Sequence, residues 1–90
     1  MSEISRVVRI DNRRGLHARA SAKFVTLASS QKAEIEVEKD GSSVCGTSIM
    51  GLMMLGAAFG DSITITADGD GADEAVAALA GLVEERFGED

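Results

Sequence analysis

The sequence predicts an α+β fold in which three helices cover one face of a four-stranded antiparallel sheet, in the order β-α-β-β-α-β-α. Four short segments have the composition of strands, and two of them alternate apolar and polar residues, as strands with one wet face do. Three other segments have helical character, and the longer two can cover the apolar face of such a sheet. The 90 residues suffice for one modest core, so residues 1–90 are expected to form a single domain.

The first two predicted elements are a strand and an amphipathic helix. Ile4–Ile10 is a short mixed run, which we interpret as the first strand. His17–Ser30 predicts a helix because its apolar and polar residues form separate stripes. The stripe expected to face the core contains Phe24, Val25 and Ala28, and the partly basic outer face contains Arg19, Ala22, Lys23 and Thr26.

The next elements are a hairpin and a short helix. Apolar and acidic residues alternate over residues 33–38, which indicates a strand with one wet face. Asp40-Gly41 is a hairpin-turn signal, and Ser42–Gly46 is the returning strand. Thr47–Gly56 begins with hydroxyl residues that can cap a helix, so it predicts a short helix.

The last two elements are a strand and the longest helix. Ser62–Ala67 alternates hydroxyl and apolar residues and predicts the fourth strand. Ala72–Phe87 repeats apolar residues at the i, i+3, i+4, i+7 spacing of a helix. Asp70 is expected to be the N-cap of this helix, and Gly88 is expected to stop it.

Composition excludes several classes of protein. No apolar run approaches the roughly 20 residues of a membrane span, and the first ten residues carry charges where a secretory signal is apolar. We therefore expect a soluble cytoplasmic protein. The single cysteine excludes an internal disulfide, and the single histidine argues against a zinc site. The sequence has no Walker-type motif and no Gly-x-Gly-x-x-Gly motif, so neither a cofactor nor a metal is expected.

The net charge of −6 divides unevenly along the chain. Residues 1–45 carry a charge of +2 and residues 46–90 carry −8. Five basic residues lie between Arg9 and Lys23, around the only histidine. A basic surface on an acidic protein suits an anionic group or an acidic partner better than nucleic acid. The alternative interpretation is a solvated charged face.

His17 is the first candidate for chemistry. If it lies at or beside the N-cap of the first helix, its ring adjoins unsatisfied backbone N–H groups, which attract anions such as phosphate. The same field favours a neutral imidazole with a lone pair that can attack phosphorus. Arg19 can pair with phosphoryl oxygens, and Gly15 permits a tight backbone approach. A purely structural histidine is the alternative.

The run from Ile49 to Leu55 is the second candidate. At 100° per residue, Leu52 and Leu55 point to one side, expected to be core, whereas Ile49, Met50 and Met53 point roughly opposite. That opposite side predicts an exposed apolar patch able to adapt to partner proteins. The alternative is a helix buried on all sides. Ser48 has a structural explanation as the N-cap, and a phosphate there would meet a favourable helix dipole.

Two weaker signals have structural interpretations. Asp68–Asp73 contains part of a calcium-loop pattern, but Ala72 occupies a ligand position and a strand precedes it, so a turn and helix cap are predicted. Cys45 is expected to be a small core residue.

At the two candidate sites the sequence closely resembles the family of histidine-containing phosphocarrier proteins, HPr, of the phosphoenolpyruvate-dependent phosphotransferase system. The resemblance covers essentially the whole chain. It is carried by the phosphorylation segment Gly15-Leu16-His17-Ala18-Arg19 and by the second signature Ser48-Ile49-Met50-Gly51-Leu52-Met53 with Leu55-Gly56.

This resemblance implies an open-faced β-sandwich and a monomer that carries a phosphoryl group without being an independent enzyme. His17 would accept the group on Nδ1 from phosphorylated enzyme I and pass it to an enzyme IIA-type protein, with Arg19 stabilising it. Ser48 would be the position modified by an HPr kinase/phosphorylase where one exists. The partner-binding surface would contain Ala22, Lys23, Ile49, Met50 and Met53.

One residue departs from the family pattern. The family commonly has proline directly after the motif arginine, where this chain has Ala20. Alanine is a good helix former, so the helix start is expected to survive, although the His17 loop loses a fixed φ.

Two other hypotheses remain beside the phosphocarrier. One is a noncatalytic β/α regulatory module that binds a partner through Ile49, Met50 and Met53. The other is a calcium-binding protein that uses Asp68, Asp70 and Asp73. Within the leading hypothesis, the sequence does not separate a sugar-uptake component from a nitrogen-related regulatory one.

Overall fold

Four strands form one sheet in the computed structural model, which describes residues 3–89. The strands are β1 (Glu3–Arg9), β2 (Glu34–Lys39), β3 (Ser42–Cys45) and β4 (Ser62–Asp68). Their spatial order is β1-β4-β2-β3, and each neighbouring pair is antiparallel.

Three helices accompany the sheet, and a short 3-10 turn follows the last of them. The helices are α1 (Ala18–Ser29), α2 (Ile49–Met54) and α3 (Ala72–Glu84), and the 3-10 turn is Arg86–Gly88. Helix α3 packs against β1 and β4, while α1 packs against α2 and α3. The predicted α+β class and the order β-α-β-β-α-β-α are confirmed, and the architecture is an open-faced sandwich.

The core lies between the helices and one face of the sheet. Alternate residues of β2 and β4 are buried, as their period of two predicts, and their polar neighbours face away from the core. On α1, Phe24 and Ala28 are buried and Val25 is half-buried, so the predicted apolar stripe does face the core. The core side of the sheet contributes Val8, Ile35, Val37, Ile63, Ile65 and Ala67.

The ends of α3 differ from the prediction. Asp70 is not the N-cap: that position belongs to Gly71, whose φ of +76° is accessible to glycine at little cost and which makes no side-chain capping bond. The helix ends at Glu84, and positive φ values at Arg86 and Phe87 turn the chain out of helical geometry. Phe87 is nevertheless buried, which explains why it fits the helical apolar pattern.

The predicted core position of Cys45 is wrong. Cys45 lies on the edge strand β3, opposite Glu36 of β2, and residues directly opposite in a sheet share one face. Glu36 is on the solvent face, so Cys45 is exposed with it.

The start of α1 does not depend on proline. Ala20 is buried in the first turn, and the helix begins at Ala18 as an ordinary capped helix. None of the helices within residues 3–89 combines the length and apolar character needed to cross a bilayer.

Candidate functional site

A tight turn between β1 and α1 presents His17. The amide of Asn12 donates from Nδ2 to the carbonyl oxygen of Gly15 at 2.8 Å, and the N–H of Gly15 donates back to the carbonyl oxygen of Asn12 at 3.1 Å. The N–H of Leu16 then donates to the carbonyl oxygen of Ala57 at 2.9 Å. The turn is therefore tied to the segment that follows α2.

His17 is the N-cap of α1. Its backbone is extended, and its carbonyl oxygen accepts the first helical hydrogen bond, from the N–H of Ser21 at 2.9 Å. The ring folds back so that Nδ1 accepts from the backbone N–H of Arg19, at 3.3 Å. A nitrogen that accepts a hydrogen bond carries no proton, so Nδ1 keeps its lone pair at the helix start. The predicted place of His17 beside the N-cap is confirmed.

The other ring nitrogen contacts the C-terminal segment. Nε2 of His17 lies 2.6 Å from Oε2 of Glu89, and Asn12 Nδ2 donates to Oε1 of the same carboxylate at 3.0 Å. Because a carboxylate only accepts hydrogen bonds, Nε2 is the protonated nitrogen of the ring. The His17 and Glu89 side chains are 21% and 17% exposed, so this contact is largely shielded from water.

The carboxylate of Glu89 is held in its charged form. Burial raises the pKa of this carboxyl, but the hydrogen bonds from Asn12 and His17, with the electrostatic attraction of the imidazole and of the Lys23 ammonium, outweigh burial. The net effect is a pKa below the ordinary value of 4.5. Glu89 therefore presents a full negative charge to the imidazole at neutral pH.

Basic side chains surround this contact. The nearby cations are Arg13, Arg14, Arg19 and Lys23. Within residues 3–89, none of these four side chains forms a salt bridge, although the ammonium of Lys23 donates to the carbonyl oxygen of Phe87 at 2.7 Å. Their field adds to the positive end of α1, so an anion at Nδ1 is favoured. A shallow cleft beside the ring is lined by Arg13, Arg14, Arg19, Lys23, Gly88 and Glu89.

Ser48 begins the second candidate segment. Its hydroxyl accepts from the N–H of Gly51 at 2.9 Å, so Ser48 caps α2 as predicted. The side chain of Leu52 is buried, and Leu55 is half-buried against the core. The expected core side of α2 is therefore confirmed.

The opposite side of α2 is an exposed apolar patch, which rules out the alternative of a helix buried on all sides. Met50 is 72% exposed, and Ile49 and Met53 are about two-fifths exposed. Met54, which the predicted patch does not include, is 80% exposed and continues the patch. Met54 follows Met50 by four residues, which places both side chains on one face of the helix. This spacing in the sequence is therefore enough to predict that Met54 belongs to the patch. We call Ile49, Met50, Met53 and Met54 the α2 patch.

The two predicted segments meet in the fold. Helices α1 and α2 pack together, and the Leu16 to Ala57 hydrogen bond joins the His17 turn to the end of α2. On the outer face of α1, Arg19 and Lys23 are exposed and Ala22 is half-buried.

Asn12 and Glu89 are the residues of the site that the sequence did not predict. No three His, Cys, Asp or Glu side chains within residues 3–89 are grouped as metal ligands, so Asp68, Asp70 and Asp73 do not form such a cluster there.

Comparison with known proteins gives a consistent result. The model of the family described as "PTS HPr component phosphorylation site" matches residues 4–85. A phosphocarrier protein HPr of Neisseria meningitidis serogroup A is 51% identical over 82 residues, covering 91% of this chain and 92% of the relative. A phosphocarrier protein NPr of Shewanella violacea is 39% identical over 89 residues, covering 99% of this chain and 98% of the relative.

A solved structure is similar over the whole length. The crystal structure of HPr from Thermoanaerobacter tengcongensis superposes with a TM-score of 0.90 at 44% identity, covering 100% of this chain and 99% of that one.

Proposed function

The chain belongs to the HPr family of the phosphotransferase system, and from this premise we propose that it is a phosphocarrier whose His17 accepts a phosphoryl group from phosphorylated enzyme I. The group then passes to an enzyme IIA-type protein. The observation that carries the proposal is the orientation of the imidazole, whose Nδ1 faces the N–H of Arg19 at the start of α1 while Nε2 faces Glu89.

The transfer needs no base from the protein. The lone pair of Nδ1 attacks phosphorus, the new P–N bond forms as the bond to the donor breaks, and the donor keeps that electron pair. The incoming dianionic group displaces the weak hydrogen bond at Nδ1 and reaches the backbone N–H groups of the first turn, which have no partner within the helix. The forked guanidinium of Arg19 is placed to pair with phosphoryl oxygens. Transfer onward reverses these steps.

Partner binding is the second part of the proposal. The α2 patch, with Ala22 and Lys23 on α1, supplies an apolar surface beside a basic one, which suits partners that are acidic around an apolar contact. Large exposed methionines also adapt to more than one surface, as a carrier with successive partners requires. The contact would be transient, because each partner must leave before the next binds.

Ser48 is proposed as a regulatory site in organisms that have an HPr kinase/phosphorylase. Its hydroxyl is half-buried at the start of α2 and lies directly before the α2 patch. A phosphate on Ser48 would place two negative charges beside a surface that is proposed to receive acidic partners, so it would oppose their docking.

Two further features belong to the proposal. A cytoplasmic location follows from the role, because the phosphotransferase relay runs between soluble partners. The branch is left open between sugar uptake and nitrogen or carbon regulation, since relatives named HPr and NPr are both similar to this chain. Phosphoryl transfer from the purified protein to a sugar-specific IIA and to a regulatory IIA, measured side by side, distinguishes the branches.

Phosphorylation by enzyme I tests the central claim. The protein is incubated with phosphoenolpyruvate and a compatible enzyme I, and one acid-labile phosphoryl group per chain is expected. Because the chain has a single histidine, the His17→Ala variant should take up none. Phosphorus NMR should show the group on Nδ1. Equal labelling of the variant contradicts the proposal and favours a partner-binding module that uses the α2 patch alone.

A further inference from the structure

We infer that Glu89 is a positioning residue of the carrier site: its carboxylate holds the proton on Nε2 of His17 and balances the charge that the ring gains while Nδ1 carries the phosphoryl group. This inference rests on the proposed function of His17. It assigns a chemical role to the C-terminal segment, which lies 72 residues away in sequence from the histidine it contacts.

The carboxylate is held by two donors, one on each oxygen. Oε2 of Glu89 faces Nε2 of His17 at 2.6 Å, and Oε1 accepts from Nδ2 of Asn12 at 3.0 Å. Asn12 is buried, and the same amide nitrogen bonds the carbonyl oxygen of Gly15. The orientation of the carboxylate is therefore tied to the turn that presents the histidine.

The chain just before Glu89 is anchored as well. Phe87 is buried in the core at 1% exposure, and its carbonyl oxygen accepts from Nζ of Lys23 at 2.7 Å. Arg86 and Phe87 have positive φ, which is costly for residues with a Cβ and persists where surrounding contacts enforce it. Gly88, at φ +74°, then directs the chain back toward His17. The segment Arg86–Glu89 is thus fixed in place by the core, and it holds the carboxylate of Glu89 against the imidazole of His17.

The chemistry of transfer explains why this charge matters. When neutral His17 attacks through Nδ1, the ring becomes a cation that still carries its proton on Nε2. When an acceptor attacks phosphorus, the P–Nδ1 bond breaks, its electron pair returns to Nδ1, and a neutral imidazole leaves. If Nε2 had lost its proton in between, the leaving group would be an imidazolate, a far poorer one. A carboxylate on Nε2 keeps the proton in place throughout the cycle.

The surroundings make Glu89 decisive in this respect. Arg13, Arg14, Arg19 and Lys23 line the cleft beside the ring, and each cation favours loss of the Nε2 proton. Among the described residues that line this cleft, Glu89 is the only carboxylate. Its charge therefore opposes four cations, and its removal leaves the phosphorylated ring easier to deprotonate.

Chemical phosphorylation tests this role without any partner protein. The full-length protein and the Glu89→Gln variant are phosphorylated with phosphoramidate, and phosphorus NMR identifies the modified nitrogen. The wild type should give the Nδ1 product because Nε2 is occupied by Glu89, and the variant should give a larger share of the Nε2 product. The matched control is Glu85→Gln, which removes the same charge from an exposed position just before the segment Arg86–Glu89. A predominant Nε2 product in the wild type overturns the inference.

The pH profile gives the second readout. NMR titration of the Nδ1-phosphorylated ring should show loss of the Nε2 proton at a pH about one unit lower in Glu89→Gln than in the wild type or Glu85→Gln. The phosphoryl-donor activity of Glu89→Gln toward an enzyme IIA should fall below that of the wild type over the same pH interval, by roughly tenfold at its alkaline end. At lower pH the two proteins should have equal activity. Identical profiles, or a uniform loss at every pH, overturn the role of Glu89. Failure of enzyme I to label the wild type would instead overturn the proposed function, since the chemical titration is independent of it.

Discussion

Gly15 lies against the carbonyl oxygen of Ala57 so closely that a Cβ added to Gly15 would be 2.3 Å from that oxygen. Gly15 also has φ +64°, a conformation that L side chains rarely adopt. The contact lets Leu16 donate its N–H to the same oxygen, at 2.9 Å. The position of His17 therefore depends on a close approach between two backbone segments.

The Gly15→Ala variant tests this dependence. The αL conformation of an alanine costs roughly 1–2 kcal/mol, and the clash with backbone atoms of Ala57 should add about 1–3 kcal/mol. Gly56→Ala is the control, because Gly56 has φ +67° with nothing within 4 Å of an added Cβ. Urea denaturation should show the larger loss of stability for Gly15→Ala, and phosphorylation of His17 should slow in that variant alone. An equal loss of stability in Gly15→Ala and Gly56→Ala would contradict the close approach of Gly15 to Ala57.

The capping role of Ser48 is separable from any role in regulation. Ser48→Ala removes the acceptor for the N–H of Gly51 and should lower the free energy of unfolding by about 1 kcal/mol. Ser48→Asp keeps an acceptor at the N-cap, so it should remain close to the wild type in stability while it weakens transfer from enzyme I. Thermal unfolding and transfer kinetics of the two variants check these expectations. The cap interpretation is refuted if both variants lose stability equally.

Local chemistry explains which parts of the site the sequence predicted. A helix start is determined within a few residues, so the spacing of Gly15, His17 and Arg19 sufficed to place the imidazole at the N-cap of α1. The capping of α2 by Ser48 and the exposed side of that helix follow from local patterns in the same way.

Nonlocal contacts explain what the sequence concealed. Glu89 reaches His17 only because the chain leaves helical geometry at Arg86 and Phe87, and Phe87 fits the apolar repeat of α3 even though it lies outside that helix. The prediction of a core position for Cys45 is wrong because the sequence of a short strand does not reveal which of its faces is buried. Its exposure follows from the register with Glu36, which emerges only when β2 and β3 pair.

The α2 patch should matter for transfer and hardly at all for stability. Met50→Glu introduces a charge at a side chain that is 72% exposed, so folding should be nearly unaffected while phosphoryl transfer from enzyme I and to enzyme IIA falls at least several-fold. Val7→Glu is the matched control, since Val7 is 66% exposed on the open face of the sheet, outside the patch. Steady-state transfer at several carrier concentrations should show a weaker apparent affinity for Met50→Glu only. Equal impairment by both variants argues against docking at the patch.

The contact between Glu89 and His17 should make the free energy of unfolding depend on pH in the acidic range. Because the folded protein holds the pKa of Glu89 below its ordinary value of 4.5, the carboxylate stabilises the folded state above that pH. This stabilising contribution is lost as the pH falls through the pKa that Glu89 has in the folded protein. Glu89→Gln should be less stable than the wild type by roughly 1 kcal/mol at pH 7, and the difference should shrink below pH 4.5. Urea denaturation across this range checks the sign; a difference that grows toward low pH would contradict it.

Cys45 should react readily with thiol reagents. The hydroxyl of Thr47 lies 3.4 Å from Sγ, and this side-chain contact, with a backbone hydrogen bond from Thr47, lowers the pKa of the exposed thiol. Burial and the charges of Glu34 and Glu36 act in the opposite direction but are outweighed. Because the thiolate is the reactive form, Thr47→Val should slow alkylation by iodoacetamide near pH 8, whereas Thr64→Val, elsewhere on the open face, should leave the rate unchanged. Mass spectrometry over time measures both rates, and equal rates for the two variants would remove Thr47 as the cause.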